Sequence, residues 1–154
     1  MADERAGIDG VSEWFGIRWV HRNETRMTIT PELINAGGML SGVATYALVD
    51  YTMGSTLWAQ TTDDEGIATV NIAINYVQTA TEGDVTCTVE FDRRNRSAAS
   101  MRSEVRHEDG RLMATAIGSY ANFPRKRCPH GKDGRRFQGY RRSAGASLRG
   151  PGRP

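Results

Sequence analysis

Histidine, cysteine and long apolar runs are scarce in this chain. Its three histidines, His21, His107 and His130, are scattered over 154 residues. None stands at metal-ligand spacing or beside a visible nucleophile, which argues against a histidine metal centre or a hydroxyl–imidazole pair. The two cysteines, Cys87 and Cys128, make no zinc or redox spacing, and Cys128-Pro-His130 alone is not a zinc motif. No apolar stretch reaches the ~18–20 residues of a membrane-spanning helix. The opening Met-Ala-Asp-Glu-Arg carries acids and leads into no apolar segment. The expectation is a cytoplasmic, reduced protein with no secretion signal.

What is present suits one folded domain: 38% apolar and 25% charged residues, in a chain long enough for a single core. The formal net charge of +2 conceals a split, because residues 125–154 hold ten Lys/Arg and one acid, Asp133. The rest of the chain holds ten Lys/Arg and seventeen acids. Such asymmetry marks a body and a tail. Residues 125–154 combine Pro, Gly, Arg and Ser without periodicity and read as a disordered basic tail. A solvated extension is the simplest account of it. Weak nucleic-acid binding through its charge, helped slightly by Phe137 and Tyr140, is the alternative. Residues 1–11 read as a flexible start and 12–124 as the domain.

Within 12–124 the patterning alternates between strand and helix. Asp9 to Gly16 suits a short helix, and Ile17 to Thr30 an extended stretch bent at Arg22-Asn23-Glu24. Pro31 ends it. After a central helix, Thr61 to Gly66 form an exit loop. Ala68, Val70, Ile72, Ile74 and Tyr76 then alternate with polar or small residues, as do Val85, Cys87, Val89 and Phe91, and Met101 and Val105. Period-2 alternation implies one buried face per strand. Glu108-Asp109-Gly110 is a hairpin turn. Leu112 to Phe123 is a last strand, apolar on both faces and hence central or at an interface. Strand, long helix and about four antiparallel strands predict an α+β layer fold, with the sheet wrapped round the helix.

The organising stretch is residues 35–50. A glycine-rich turn holding Asn35 feeds a helix expected from about Met39 to Trp58. Leu40, Ala44, Ala47, Leu48 and Tyr51 form an apolar stripe at helical spacing. Asp50 falls on the flank of that stripe, where a carboxylate must be hydrogen-bonded, at an interface or functional.

These residues resemble the hotdog-fold acyl-CoA thioesterases, in the PaaI-like branch of the phenylacetate pathway. The resemblance spans about 12–124. Asn35, Gly38, Gly42 and Asp50 match the family's Asn, glycine turn and acid in spacing. Val70 to Tyr76, Asp109-Gly110-Arg111 and Ala114 to Pro124 match its later segments. Two positions depart: Ser41 stands where the family commonly has His, and Val43 where it has a second Gly. Ser can still cap a helix and donate a hydrogen bond.

The resemblance implies hydrolysis of an aryl- or fatty-acyl-CoA, with no cofactor beyond the coenzyme A of the substrate. Asp50 is expected as nucleophile or general base, and the Gly42 N–H as oxyanion donor at a helix N-terminus. Asn35 is expected to hold water or thioester, and Thr69 to support the acid. Ser41 and Gly38 are expected near the substrate. Arg93 and Arg94, with Arg96 and Arg125-Lys126-Arg127, are candidates for the phosphates of coenzyme A. Tyr46, Tyr51 and Trp58 read as packing.

Eight residues of helix separate Gly42 from Asp50 by roughly 12 Å, too far for both to touch one carbonyl. If both act, the site joins Gly42 of one subunit to Asp50 of another across a two-fold. A homodimer is therefore expected, and the resemblance makes a homotetramer plausible. Ser41 and Val43 motivate a different reading, a non-catalytic hotdog protein binding acyl-CoA or a protein partner. A dehydratase or hydratase would need an Asp/His pair that is not found.

Overall fold

The computed structural model describes residues 7–125. The expected basic tail from residue 126 and the first six residues lie outside this range. Helix α1 (Gly10–Trp14) is followed by β1 (Arg18–His21) and β2 (Glu24–Thr28), and a 3-10 turn (Pro31–Leu33) leads to helix α2 (Gly42–Trp58). Strands β3 (Glu65–Tyr76), β4 (Asp84–Arg94), β5 (Ala98–His107) and β6 (Leu112–Pro124) complete the described residues. The six strands form one sheet in the order β1-β2-β4-β5-β6-β3, antiparallel at every pairing. One long helix on a single antiparallel sheet is the expected α+β hotdog architecture.

The core lies between α2 and the sheet. Leu48, Met53 and Leu57 of the helix are fully buried with Met27, Val85, Val89, Met101 and Val105 of β2, β4 and β5. Their alternation was readable from period 2 alone. The buried face of α2 also carries Thr45, Thr52, Ser55 and Thr56. These hydroxyls are satisfied locally: Thr52 Oγ1 donates to Leu48 O at 2.5 Å and Thr56 Oγ1 to Thr52 O at 2.6 Å. Trp19 Nε1 donates to Ser55 Oγ at 2.8 Å. The buried face is therefore rotated from the expected stripe toward Thr45, Thr52 and Thr56. Ala47 and Tyr51 are only half-buried, and Asp50, also half-buried, lies on the flank of the buried face.

The helix starts at Gly42, not Met39. Asn35 Oδ1 accepts from the N–H groups of Gly37 (2.8 Å) and Met39 (3.3 Å), and Gly38 adopts φ +77°. This asparagine turn keeps residues 35–40 out of the helix, and Ser41 takes the N-cap by accepting from Val43 N–H at 3.2 Å.

Strand β3 departs from simple alternation. It is an edge strand paired only with β6, and its register shifts between Thr69 and Asn71. A bulge of one residue exchanges the two faces of a strand. Before the bulge Ile67 and Thr69 point toward the helix; after it Ile72, Ile74 and Tyr76 do. Ala68 and Val70, expected on the buried face, are exposed, Val70 to 66%.

Candidate functional site

Asp50 sits on the third turn of α2, beside β3 and β6. Two hydroxyls reach its carboxylate. Thr69 Oγ1 donates to Asp50 Oδ1 at 3.0 Å, as the sequence suggests for that residue. Tyr120 Oη donates to the same Oδ1 at 2.8 Å and lies 3.3 Å from the Asp50 carbonyl oxygen. Thr69 and Tyr120 face each other across the β3–β6 ladder, so their side chains emerge on one side of the sheet. Burial, then the charge and hydrogen bond of Asp50, push the Tyr120 phenol upward. Its proton stays in place at any ordinary pH.

Sequence reasoning missed Tyr120. A tyrosine buried in a strand must find a partner for its hydroxyl, and that was the available signal. The partner could be named only once β6 was known to lie beside β3.

Asp50, Thr69 and Tyr120 line a cleft of about 430 Å³ whose other walls include Ile8, Tyr51, Gly54, Trp58 and Ile67. Tyr51 and Trp58, read from the sequence as packing, thus border the acid. Ile8 and Asp9, just before helix α1, close one side. Asp9 caps that helix by accepting from Ser12 N–H at 2.8 Å, and accepts from Tyr51 Oη at 2.8 and 2.9 Å. Burial first, then Asp9, drives the Tyr51 phenol upward. The Arg125 guanidinium lies 5.9 Å from the centre of the Trp58 ring, which puts one cation of the expected phosphate-binding run beside a wall of the cleft.

The donor end of α2 faces different surroundings. Asn35, Met39, Gly42, Thr45 and Tyr76 line a separate pocket of about 170 Å³. As first residue of the helix, Gly42 has no carbonyl one turn back to take its N–H. Tyr76 Oη donates to Gly42 O at 2.9 Å, and a Cβ on Gly42 would stand 3.3 Å from the Tyr76 ring. A side chain there would push the exposed Tyr76 ring aside by a few tenths of an ångström. Asn35 spends its Oδ1 on the turn, leaving its amide NH2 directed elsewhere. Asn35, Gly38, Ser41 and Gly42 are therefore together at the N-terminal end of the helix, and Asp50 and Thr69 two turns further along.

Arg93 and Arg94 come to neither end. Arg94 donates to Gln60 Oε1 at 3.1 Å and lies 3.7 Å from Glu65, while Arg93 is exposed on β4; neither lines the two pockets. Cys87 is fully buried, and burial pushes its thiol up to about 12. It is no nucleophile. His107 bonds Glu82 O at 2.9 Å and pairs with Asp109 at 3.0 Å in the hairpin, and His21 is exposed on β1.

A helix carrying one hydroxyl-bound acid and a bare N-terminal N–H suits chemistry at an activated carbonyl. A family model described as the thioesterase superfamily matches residues 37–114, just over half of the chain. The chain belongs to the thioesterase superfamily. Among curated proteins no match was found.

Solved thioesterase-like folds are similar throughout the domain. The conserved protein PA5202 from Pseudomonas aeruginosa is 27% identical, over 75% of this chain and 94% of that one, with TM-score 0.66. BH2602 from Bacillus halodurans, solved with CoA, is 22% identical over 73% and 75%, with TM-score 0.70. The PaaI protein of the phenylacetic acid degradation operon of E. coli is 15% identical over 77% and 87%, with TM-score 0.69. The last two establish the shared hotdog fold. In this thioesterase-superfamily chain the family match begins inside the Asn35 turn and covers all of α2, so both ends of the helix belong to it.

Proposed function

We propose that this protein is an acyl-CoA thioesterase that hydrolyses an aryl- or fatty-acyl-CoA to the free acid and coenzyme A, at a site shared by two subunits. The carrying observation is that α2 presents the Asp50 carboxylate in one cleft and the Gly42 N–H in another. In the reaction, Asp50 takes a proton from the water that adds to the thioester carbonyl. Equally, its oxygen adds directly, giving an anhydride that water then cleaves. The Gly42 N–H donates to the developing oxyanion, and the Asn35 amide positions water or thioester. Collapse of the tetrahedral species breaks the C–S bond and releases the thiolate, which takes up a proton.

The surface supports a second copy. Val43, Ala47, Asp50 and Gly54 follow i, i+4, i+7 and i+11 on the outward face of α2, with Tyr46 beside them. Val43 is 70% exposed, and Val70 and Tyr76 on β3 are also exposed. A two-fold placing this face against its copy would cover that apolar area and bring Gly42 of one chain toward Asp50 of the other. A dimer is the minimum; a dimer of dimers is compatible with it. Arg125, beside Trp58, supports capture of the phosphates of the substrate at the Asp50 end.

The experiment is turnover of a panel of aryl- and fatty-acyl-CoAs by wild type and Asp50→Ala. The expected result is a loss of about 10²-fold or more on every substrate that wild type hydrolyses. Equal rates would overturn the assignment of Asp50. One observation favours a second reading: Ser41, at the family's histidine position, is spent on the helix cap. On that reading the protein binds acyl-CoA without cleaving it, and the panel would give thermal stabilisation without turnover.

A further inference from the structure

We propose that Tyr120 is a positioning residue that, together with Thr69, commits one oxygen of the Asp50 carboxylate to the protein and leaves the other as the oxygen that meets the thioester or its water. This inference rests on the thioesterase reading of Asp50 and deepens it.

Both donors converge on Oδ1, Tyr120 Oη at 2.8 Å and Thr69 Oγ1 at 3.0 Å. Among the described residues no donor is bonded to Oδ2. A carboxylate oxygen offers two in-plane acceptor sites, and on Oδ1 both are taken. Rotation of the carboxylate by half a turn would only exchange the labels, since the same two hydroxyls would select whichever oxygen arrives. The other oxygen is then always left toward the cleft. A nucleophile or base used in this way needs one oxygen with its lone pairs free and a plane that does not wander.

The donors are themselves held. Tyr120 is 2% exposed and packs where α2 has a glycine, a Cβ on Gly54 standing 4.0 Å from Cε1 of its ring. The cross-strand pairing of Thr69 with Tyr120 sets their separation, and Thr69 lies on the helix-facing side of β3 just before its bulge. Because burial and the neighbouring acid keep the Tyr120 proton on its oxygen, the tyrosine remains a donor and does not compete as a base.

The test uses the full-length protein and the substrate it turns over fastest among benzoyl-CoA and octanoyl-CoA. Wild type is compared with Tyr120→Phe, Thr69→Val, Thr69→Ser and Asp50→Asn, each checked for an unchanged oligomer and melting transition. Tyr120→Phe is expected to lower kcat about tenfold or more with KM within about twofold. Thr69→Val should behave alike, and Thr69→Ser should restore kcat. A kcat for Tyr120→Phe matching wild type, with Asp50→Asn inactive, overturns the proposal and leaves the thioesterase reading standing. Asp50→Asn equal to wild type on both substrates overturns the reading and the proposal with it.

Discussion

Asp9 does two things with one carboxylate. It caps α1 through the Ser12 N–H, and it receives the Tyr51 hydroxyl of the central helix. Burial alone would raise its carboxyl, but the bonds from Ser12, Tyr51 and Val11 outweigh it and hold the group below 3.8. A group whose folded value is depressed stabilises the fold above its unfolded value, and that stabilisation is lost as pH falls through the folded value. Asp9→Ala is therefore expected to cost about 1 kcal/mol at pH 7, the usual worth of an N-cap. The deficit should fade below pH ~4 and vanish in stronger acid. Urea unfolding of wild type and variant at several pH values checks this. A deficit that stays constant into acid would mean the carboxylate charge is irrelevant.

The same scale shows what single residues could announce in advance. Asn35, Gly42, Asp50 and Thr69 are the candidates that spacing and the family resemblance single out. Tyr120 and Asp9 were not, because each acquires its role from a neighbour far along the chain: Tyr120 is 70 residues from Asp50 and Asp9 is 42 from Tyr51. A residue's type shows that its polar atom needs a partner; only the fold supplies the partner's name.

At the scale of elements, periodicity located every strand and the long helix, and failed where a local device overrode it. The alternation of β3 reads cleanly from Ala68 to Tyr76, yet the bulge after Thr69 sends Ala68 and Val70 outward. No composition signal marks such a bulge. The start of α2 was displaced by three residues because the Asn35 turn consumes Met39 and Leu40.

Packing at this scale gives two further expectations. Gly118 on β6 lies under the helix, where an added Cβ would come 2.5 Å from Met53 Sδ. Met53 is fully buried and has little room to withdraw. Gly118→Ala is expected to destabilise by about 1–3 kcal/mol, read as a lower urea midpoint. Ser41→Ala removes the acceptor from Val43 N–H and should cost about 1 kcal/mol. Because the helix N-terminus also carries the proposed oxyanion donor, that variant should lose kcat beyond what its lower melting temperature explains. Full kcat in a destabilised Ser41→Ala protein would separate the cap from the chemistry.

At the scale of the whole molecule, helical rise separates Gly42 from Asp50 by roughly 12 Å, and in one chain the two open into different pockets. The face between them is apolar, small and exposed, with Val43 at 70%. One antiparallel pairing of two such helices would complete two sites at once. The sequence pointed to this arrangement through the spacing of Gly42 and Asp50. It did not point to the apolar face between them, which shows only once α2 is seated on the sheet.

Complementation between two crippled chains tests the shared site most directly. Asp50→Asn lacks the acid and Asn35→Ala lacks the positioning amide at the other end. In a heterodimer of the two, one site carries both defects and the other carries none. Co-expressed and purified with different tags, such heterodimers are expected to hydrolyse acyl-CoA at about half the wild-type rate per dimer, while each parent homodimer is nearly inactive. Heterodimers no more active than the mean of their parents would contradict a site built from two subunits.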